Sequence, residues 1–298
     1  MLNRRKFVGA TAAVVGSLAA PRWMVGIGSA QDTRLAEGAP HAEKLGWRLG
    51  CQAYSFNRFN FFEAIRKNAQ LGLRVIEAYP GQRLAAEGDA KFNESLSAEG
   101  RREVKARLAD AGITLVNYGV RGLGGNIGDN RRVFEFAKDM GIETIVSEPP
   151  FDAFDAIEPL CDEYGINVAL HNHPKPSIYW NPDTVLKVCE GRGKRIGACA
   201  DTGHWMRSEI VPLEAIKKLE GRIISFHFKD LNQFGGGAHD VPWGTGKADV
   251  PALLREIYRQ KLQAVFSIEY EYNWENSLPE IAECVKFFDR VAKEILES

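Results

Sequence analysis

From about Leu45 onward, short unbroken apolar runs alternate with longer segments whose apolar positions recur at helical spacing. The runs "WRLGCQAYSF", "LRVIEAYP", "ITLVNYGV", "IETIVSEP", "INVALHNH", "IGACADTGHW", "IISFHFKD" and "QAVFSIEYEY" have the length and composition of buried strands. Between them, "FFEAIRKNAQLG", "RREVKARLADAG", "NRRVFEFAKDMG" and finally "LPEIAECVKFFDRVAKEIL" space their apolar residues three and four apart. A helix lying on a sheet has that spacing. Gly72, Gly112, Gly141 and Gly165 each close such a segment, where a helix end favours left-handed backbone. "NPDTVLKVC" opens another helix with a polar residue and a proline. Eight strand–helix units predict an α/β protein with a single (β/α)8 TIM barrel over residues 45–298. An open doubly wound sheet is the alternative, but no Gly-rich phosphate loop follows the first strand. "GLGGNIG", from Gly122 to Gly128, follows the third strand and reads as a flexible loop.

The first thirty residues have a different pattern. Arg4, Arg5 and Lys6 precede a small-residue apolar run from Val8 to Ala20 that stops at Pro21 and Arg22. The run is too short for a stable membrane span. The paired arginines resemble a twin-arginine export signal over 1–30. On that reading the mature chain begins near Gln31 in the periplasm, 31–44 is a linker, and an uncleaved tail or anchor is the alternative.

Composition narrows the function. The 298 residues are 45% hydrophobic and 26% charged with a net charge of -1, which fits a globular protein. That balance gives no basic footprint for nucleic acid, so no nucleic-acid partner is expected. The five cysteines include no C-x-x-C pair and read as core filler, with at least one thiol free.

In a (β/α)8 barrel the strand C-termini converge on one mouth, where catalytic groups sit. Those ends here carry Glu77, Glu148, His171, His173, Asp201, His204, His227 and Glu269. A charge at the edge of a core is costly unless it is paired or coordinated. Glu148, Asp201, His227 and Glu269 would make a mixed oxygen and nitrogen site for one divalent ion, Mn2+, Mg2+, Co2+ or Zn2+. His204, His171, His173, Glu77 and Lys229 are candidates for contacting substrate. Lys229 could instead pair with Asp230 or Asp201. Trp205, Trp243 and Trp274 could form apolar walls, and His239 lies in a loop that could close as a lid.

The pieces "SEPP", "ADTGHW", "SFHFKD", "VPWGTGKADVPALL" and "SIEYE", in that order, resemble the xylose isomerase-like TIM barrels known as sugar phosphate isomerases/epimerases. The resemblance covers roughly 45–295. It implies a carbohydrate substrate and matches Glu148, Asp201, His227 and Glu269 to the metal ligands. It matches His204 to a histidine that contacts substrate oxygens, and the stretch from Gly244 to a loop near the mouth. One departure is "LHNHP" on strand five, where relatives often carry a carboxylate before the Asn. Endonuclease IV, a distant member, needs a histidine-rich three-metal cluster and a basic surface that this chain lacks.

The expected chemistry is isomerisation or epimerisation of a sugar or keto-sugar. The ion would polarise a carbonyl and stabilise the enediolate left by proton removal, with Glu148 and Glu269 as the catalytic pair. Loss of a β-hydroxyl from a keto-sugar or inosose, a lyase outcome, would use the same site. A periplasmic sugar-binding protein without turnover is the competing class. Export favours an unphosphorylated small-molecule carbohydrate. The sequence leaves a homo-oligomer open.

Overall fold

The computed structural model describes residues 34–298. The chain runs α1 (Pro40–Lys44), β1 (Arg48–Gln52), α2 (Phe61–Gln70), β2 (Val75–Ala78), α3 (Ala98–Asp110), β3 (Thr114–Tyr118), α4 (Ile127–Met140), β4 (Thr144–Ser147), α5 (Phe154–Tyr164) and β5 (Asn167–His171). It continues with α6 (Pro182–Cys189), β6 (Ile196–Asp201), α7 (Thr202–Arg207), α8 (Pro212–Lys218), β7 (Ile223–Phe228), α9 (Val250–Arg259), β8 (Val265–Ile268) and α10 (Leu278–Glu297). The eight strands pair in parallel in sequence order, and β8 closes onto β1. The closed barrel expected from the alternating runs is therefore present.

Side chains on a strand alternate between faces, and here the two faces have separate tasks. Ile76, Leu170, Ala198, Phe226, Phe266 and Ile268 join the main apolar core beneath the helices. Their neighbours Val75, Ala169, Cys199 and Val265 lie in two small clusters apart from it. Two residues further along the same face come Glu77, His171, Asp201 and Ser267. The barrel interior is thus small and apolar below and polar at the mouth.

Local sequence sets the helix ends. Asn60 and Glu63 form a reciprocal capping box at α2. Gly141 and Gly165 take the expected left-handed backbone after α4 and α5. All five cysteines are buried and free, in keeping with core filler.

The N-terminal boundary differs from the expected linker over 31–44. The Leu35 and Gly38 amides donate to the Gln70 and Leu71 carbonyls. His41 binds the Asp289 carboxylate of α10 through its backbone amide at 2.6 Å and its ring at 2.7 Å. Ala36, Ala39 and Ala42 are buried. From residue 34 this segment packs on the barrel, because its alanines supply apolar surface that α10 covers. The export-signal reading of 1–30 lies outside the described residues. Among those described, no helix is long and apolar enough to cross a membrane.

Candidate metal centre at the barrel mouth

β6 ends on Asp201, whose Oδ1 accepts the His204 amide at 2.7 Å and so caps α7. Its Oδ2 faces the barrel axis. There it meets His171 from β5, His227 from β7 and Glu269 just past β8. One donor atom from each of these four residues lies within 4.8 Å of the others. All four residues are buried. Three of the four expected ligands, Asp201, His227 and Glu269, therefore converge. Glu148 does not join them, and His171 stands in the fourth position.

The reason is that Glu148 lies behind His171. Its Oε1 meets His171 Nδ1 at 2.9 Å and accepts the His173 amide at 3.0 Å, and it also binds the His173 ring. Its Oε2 accepts from Ser177 at 2.8 Å. Burial opposes the charge on Glu148, but hydrogen bonds from the two histidines hold it well below the usual carboxylate range. The "LHNHP" stretch carries the signal for this exchange, because it ends β5 on an imidazole.

Glu77 also has a different place from that expected. It is fully buried beneath the site rather than facing a substrate. It bonds His227 Nε2 at 2.8 Å and accepts from Ser267 at 2.5 Å. That leaves His227 Nδ1 toward the centre, 3.1 Å from Glu269 Oε2. His171 Nε2 lies 3.4 Å from Asp201 Oδ2. Neither of these two buried nitrogens makes a well-aligned hydrogen bond, although each lies within ion-pair distance of a carboxylate. Buried polar atoms are seldom left so, unless an ion or water completes them. Two such imidazole nitrogens facing two carboxylates fit a borderline divalent cation.

Lys229 is buried with them. Its ammonium binds Asp201 Oδ2 at 2.6 Å and also binds Glu269. The pair with Asp201, one of the sequence alternatives, is therefore present. Burial alone would discharge this lysine, yet Asp201, Glu269 and Glu271 raise it well above its ordinary value. Burial likewise opposes the charges on Asp201 and Glu269, and the cations around them hold both well below the usual carboxylate range. His204 is pushed well below its ordinary value, first by burial. Its Nδ1 is the acceptor for Arg207 at 2.9 Å, which suits a neutral ring.

A cavity of about 270 Å³ opens beside the four-donor group. Gln52, Tyr54, Tyr79, His173, Glu269 and Glu271 are among its walls. Tyr54 packs edge-on against Tyr79 and Trp274 at ring distances of 5.2 and 5.7 Å. Of the three expected tryptophans, Trp274 backs Tyr54 and none of the three lines the cavity. Trp205 and Trp243 are in the core. Trp205 follows His204 by one residue on a helix, so the two point roughly 100° apart: His204 to the mouth, Trp205 inward. His239 stacks on Tyr272 at 4.4 Å. Its loop is organised by the Asp230 carboxylate, which accepts the amides of Gly244, Gly246 and Ala248 at 2.9–3.0 Å. A Cβ at Gly246 would lie 2.2 Å from that carboxylate, so the "GTG" turn can wrap it only with glycine there. Sequence reading missed Tyr54 and Tyr79, although each lies two residues past an inward polar position.

A family model described as "Xylose isomerase-like TIM barrel" matches residues 65–290. The chain belongs to this family. Among solved structures it resembles a putative uncharacterized protein from Parabacteroides distasonis ATCC 8503, with 31% identity, a TM-score of 0.68, and coverage of 82% of this chain and 99% of that one. A D-tagatose 3-epimerase-like protein shares the fold at 18% identity and a TM-score of 0.65, covering 84% and 99%. So does a Mycobacterium smegmatis xylose isomerase-like barrel in complex with magnesium, at 15% identity and a TM-score of 0.67, covering 84% and 98%. Among curated proteins, "Uncharacterized protein y4fM" of Sinorhizobium fredii (strain NBRC 101917 / NGR234) is 29% identical over 121 residues, 39% of this chain. The match spans 37% of that protein's length.

Proposed function

We propose that this protein is a divalent-metal-dependent isomerase or epimerase of an unphosphorylated sugar or keto-sugar. The observation that carries the reading is the convergence of His171, Asp201, His227 and Glu269, with two imidazole nitrogens that face carboxylates without a well-aligned hydrogen bond. These four residues would hold the ion, and the two-imidazole, two-carboxylate set favours Mn2+, Co2+ or Zn2+ over Mg2+. A divalent ion there supplies Lewis acidity toward a carbonyl and its neighbouring hydroxyl. The magnesium in the mycobacterial neighbour and the epimerase-like neighbour support the reading by analogy.

The chain's own groups handle the protons. Glu269 and Glu271 border the cavity, as does His173. Glu148 orients the His173 ring and stays ionised, so it acts through His173 rather than as the base first expected. A proton taken by one group and returned by the other on the opposite face gives an epimer. Return to the adjacent carbon gives the isomer. Donation by His173 to a departing hydroxyl gives the lyase outcome. Tyr54 and Tyr79, the former backed by Trp274, offer apolar faces for a sugar ring.

Protein purified without chelator should carry close to one divalent ion per chain, and Asp201→Ala or His227→Ala should lose most of it. In D₂O, the loaded wild type should place deuterium on the carbon beside the carbonyl of a converted keto-sugar. His173→Gln should lose about 10²–10⁴-fold in that exchange. Sugar binding without exchange or turnover would favour a binding protein instead. We further propose that the chain works in the periplasm after twin-arginine export, on the strength of Arg4–Arg5 and the weakly apolar run that follows. Lysine at both positions should leave precursor in the cytoplasm; undiminished delivery of that variant to the periplasm would reject this route.

A further inference from the structure

The ammonium of Lys229 binds two carboxylates of the four-donor group, Asp201 and Glu269. Its partners there are Asp201 Oδ2 at 2.6 Å and Glu269 Oε2. The lysine stem reaches this place across Gly203 of α7, where a Cβ would lie 2.6 Å from Lys229 Cδ. A metal ion on the same oxygens would stand within a few ångströms of a second, unscreened cation. In a buried site that repulsion is weakly screened, so the ammonium and the ion compete for these oxygens. One other carboxylate is within reach. Glu271 Oε2 lies 3.4 Å from Lys229 Nζ. Glu271 is itself held by Arg207 at 2.7 Å, and Arg207 is braced by Asp240 at 3.1 Å.

We propose that Lys229 and a divalent ion compete for Asp201 and Glu269, and that uptake of the ion hands the ammonium over to Glu271. The proposal rests on the metal reading of the four-donor group. It makes Glu271 a positioning residue for metal uptake: it receives the displaced charge without touching the ion. Asp201 and Glu269 are then never left without a counter-charge, either before or after loading.

The test is a Co2+ titration of the full chain at fixed pH, read by visible absorbance, with wild type, Lys229→Met, Glu271→Gln and the double variant. Removing the competing ammonium should tighten Co2+ binding by about tenfold or more. Glu271→Gln should weaken it by about tenfold, and that effect should vanish in the double variant, since the coupling runs through Lys229. Equal affinity of wild type and Lys229→Met would overturn the exchange. Weakening by Glu271→Gln that persists in the double variant would make Glu271 a ligand and also overturn it. Absence of Co2+ uptake by all four proteins would remove the metal reading itself. Should Lys229→Met fail to fold, a crystal structure of the Co2+-loaded wild type decides. Nζ bonded to Glu271 and away from Asp201 is expected, and Nζ still between Asp201 and Glu269 overturns the proposal.

Discussion

His227 has two ring nitrogens, and its neighbours assign them different tasks. Nε2 is taken by Glu77, which is itself fixed by Ser267 and by Asn117 at 3.3 Å. Nδ1 is therefore the nitrogen left for the centre. A carboxylate behind a metal-binding histidine fixes the tautomer and raises the basicity of the other nitrogen. Glu77→Gln keeps the volume and one oxygen but removes the charge. It should weaken metal affinity by about 10–100-fold while the barrel still folds. Titration of the variant with Co2+ or Zn2+ checks this, and an affinity equal to wild type would leave Glu77 a merely structural acid. His171 shows the same arrangement with Glu148, so each buried imidazole of the centre has its own carboxylate.

At the scale of elements, the sequence was legible wherever one element's own period sets the outcome. The apolar runs and helical spacing reveal eight strands and their helices, and position at the strands' C-terminal ends brings Asp201, His227 and Glu269 to one mouth. What escaped were contacts between elements distant in sequence. Glu148 and His171 both end strands, and nothing in either run says that one stands behind the other. That ordering comes from the β4–β5 register, which pairs Ser147 with Leu170 and sets Glu148 beside His171. Trp205 was misread because a helical turn, not a strand, follows Asp201, so neighbouring residues point in different directions. The loop after β7 looked free because of its glycines. Its order comes from Asp230, whose carboxylate gathers three amides from residues 14 to 18 positions further on. The residues before Leu45 looked like a linker because α1 is too short to show a period, and its partner α10 lies at the other end of the chain.

For the whole molecule, the four donors come from four consecutive strands, β5 to β8. The opposite half of the barrel supplies Glu77 beneath the centre and Tyr54 and Tyr79 on the cavity wall. A bound ion therefore joins one half of the barrel to itself. At a free concentration one hundred times its dissociation constant it should add about 2.7 kcal/mol to stability. For a barrel of this size that corresponds to a rise of about 5 °C in Tm. The gain should also be uneven in space. Lys229, just past β7, ties Asp201 of β6 to Glu269, just past β8. His171 of β5 makes no well-aligned hydrogen bond from Nε2 to that group. Metal should thus add most at the C-terminal end of β5, less at β6 to β8, and little at β2 and β3. Amide hydrogen exchange of chelator-treated and reloaded protein measures this directly, because local protection reports local opening. Asp201→Ala should abolish both the protection and the rise in Tm. Protection spread evenly around the barrel, or concentrated on β1 to β4, would mean that the ion binds somewhere other than among His171, Asp201, His227 and Glu269.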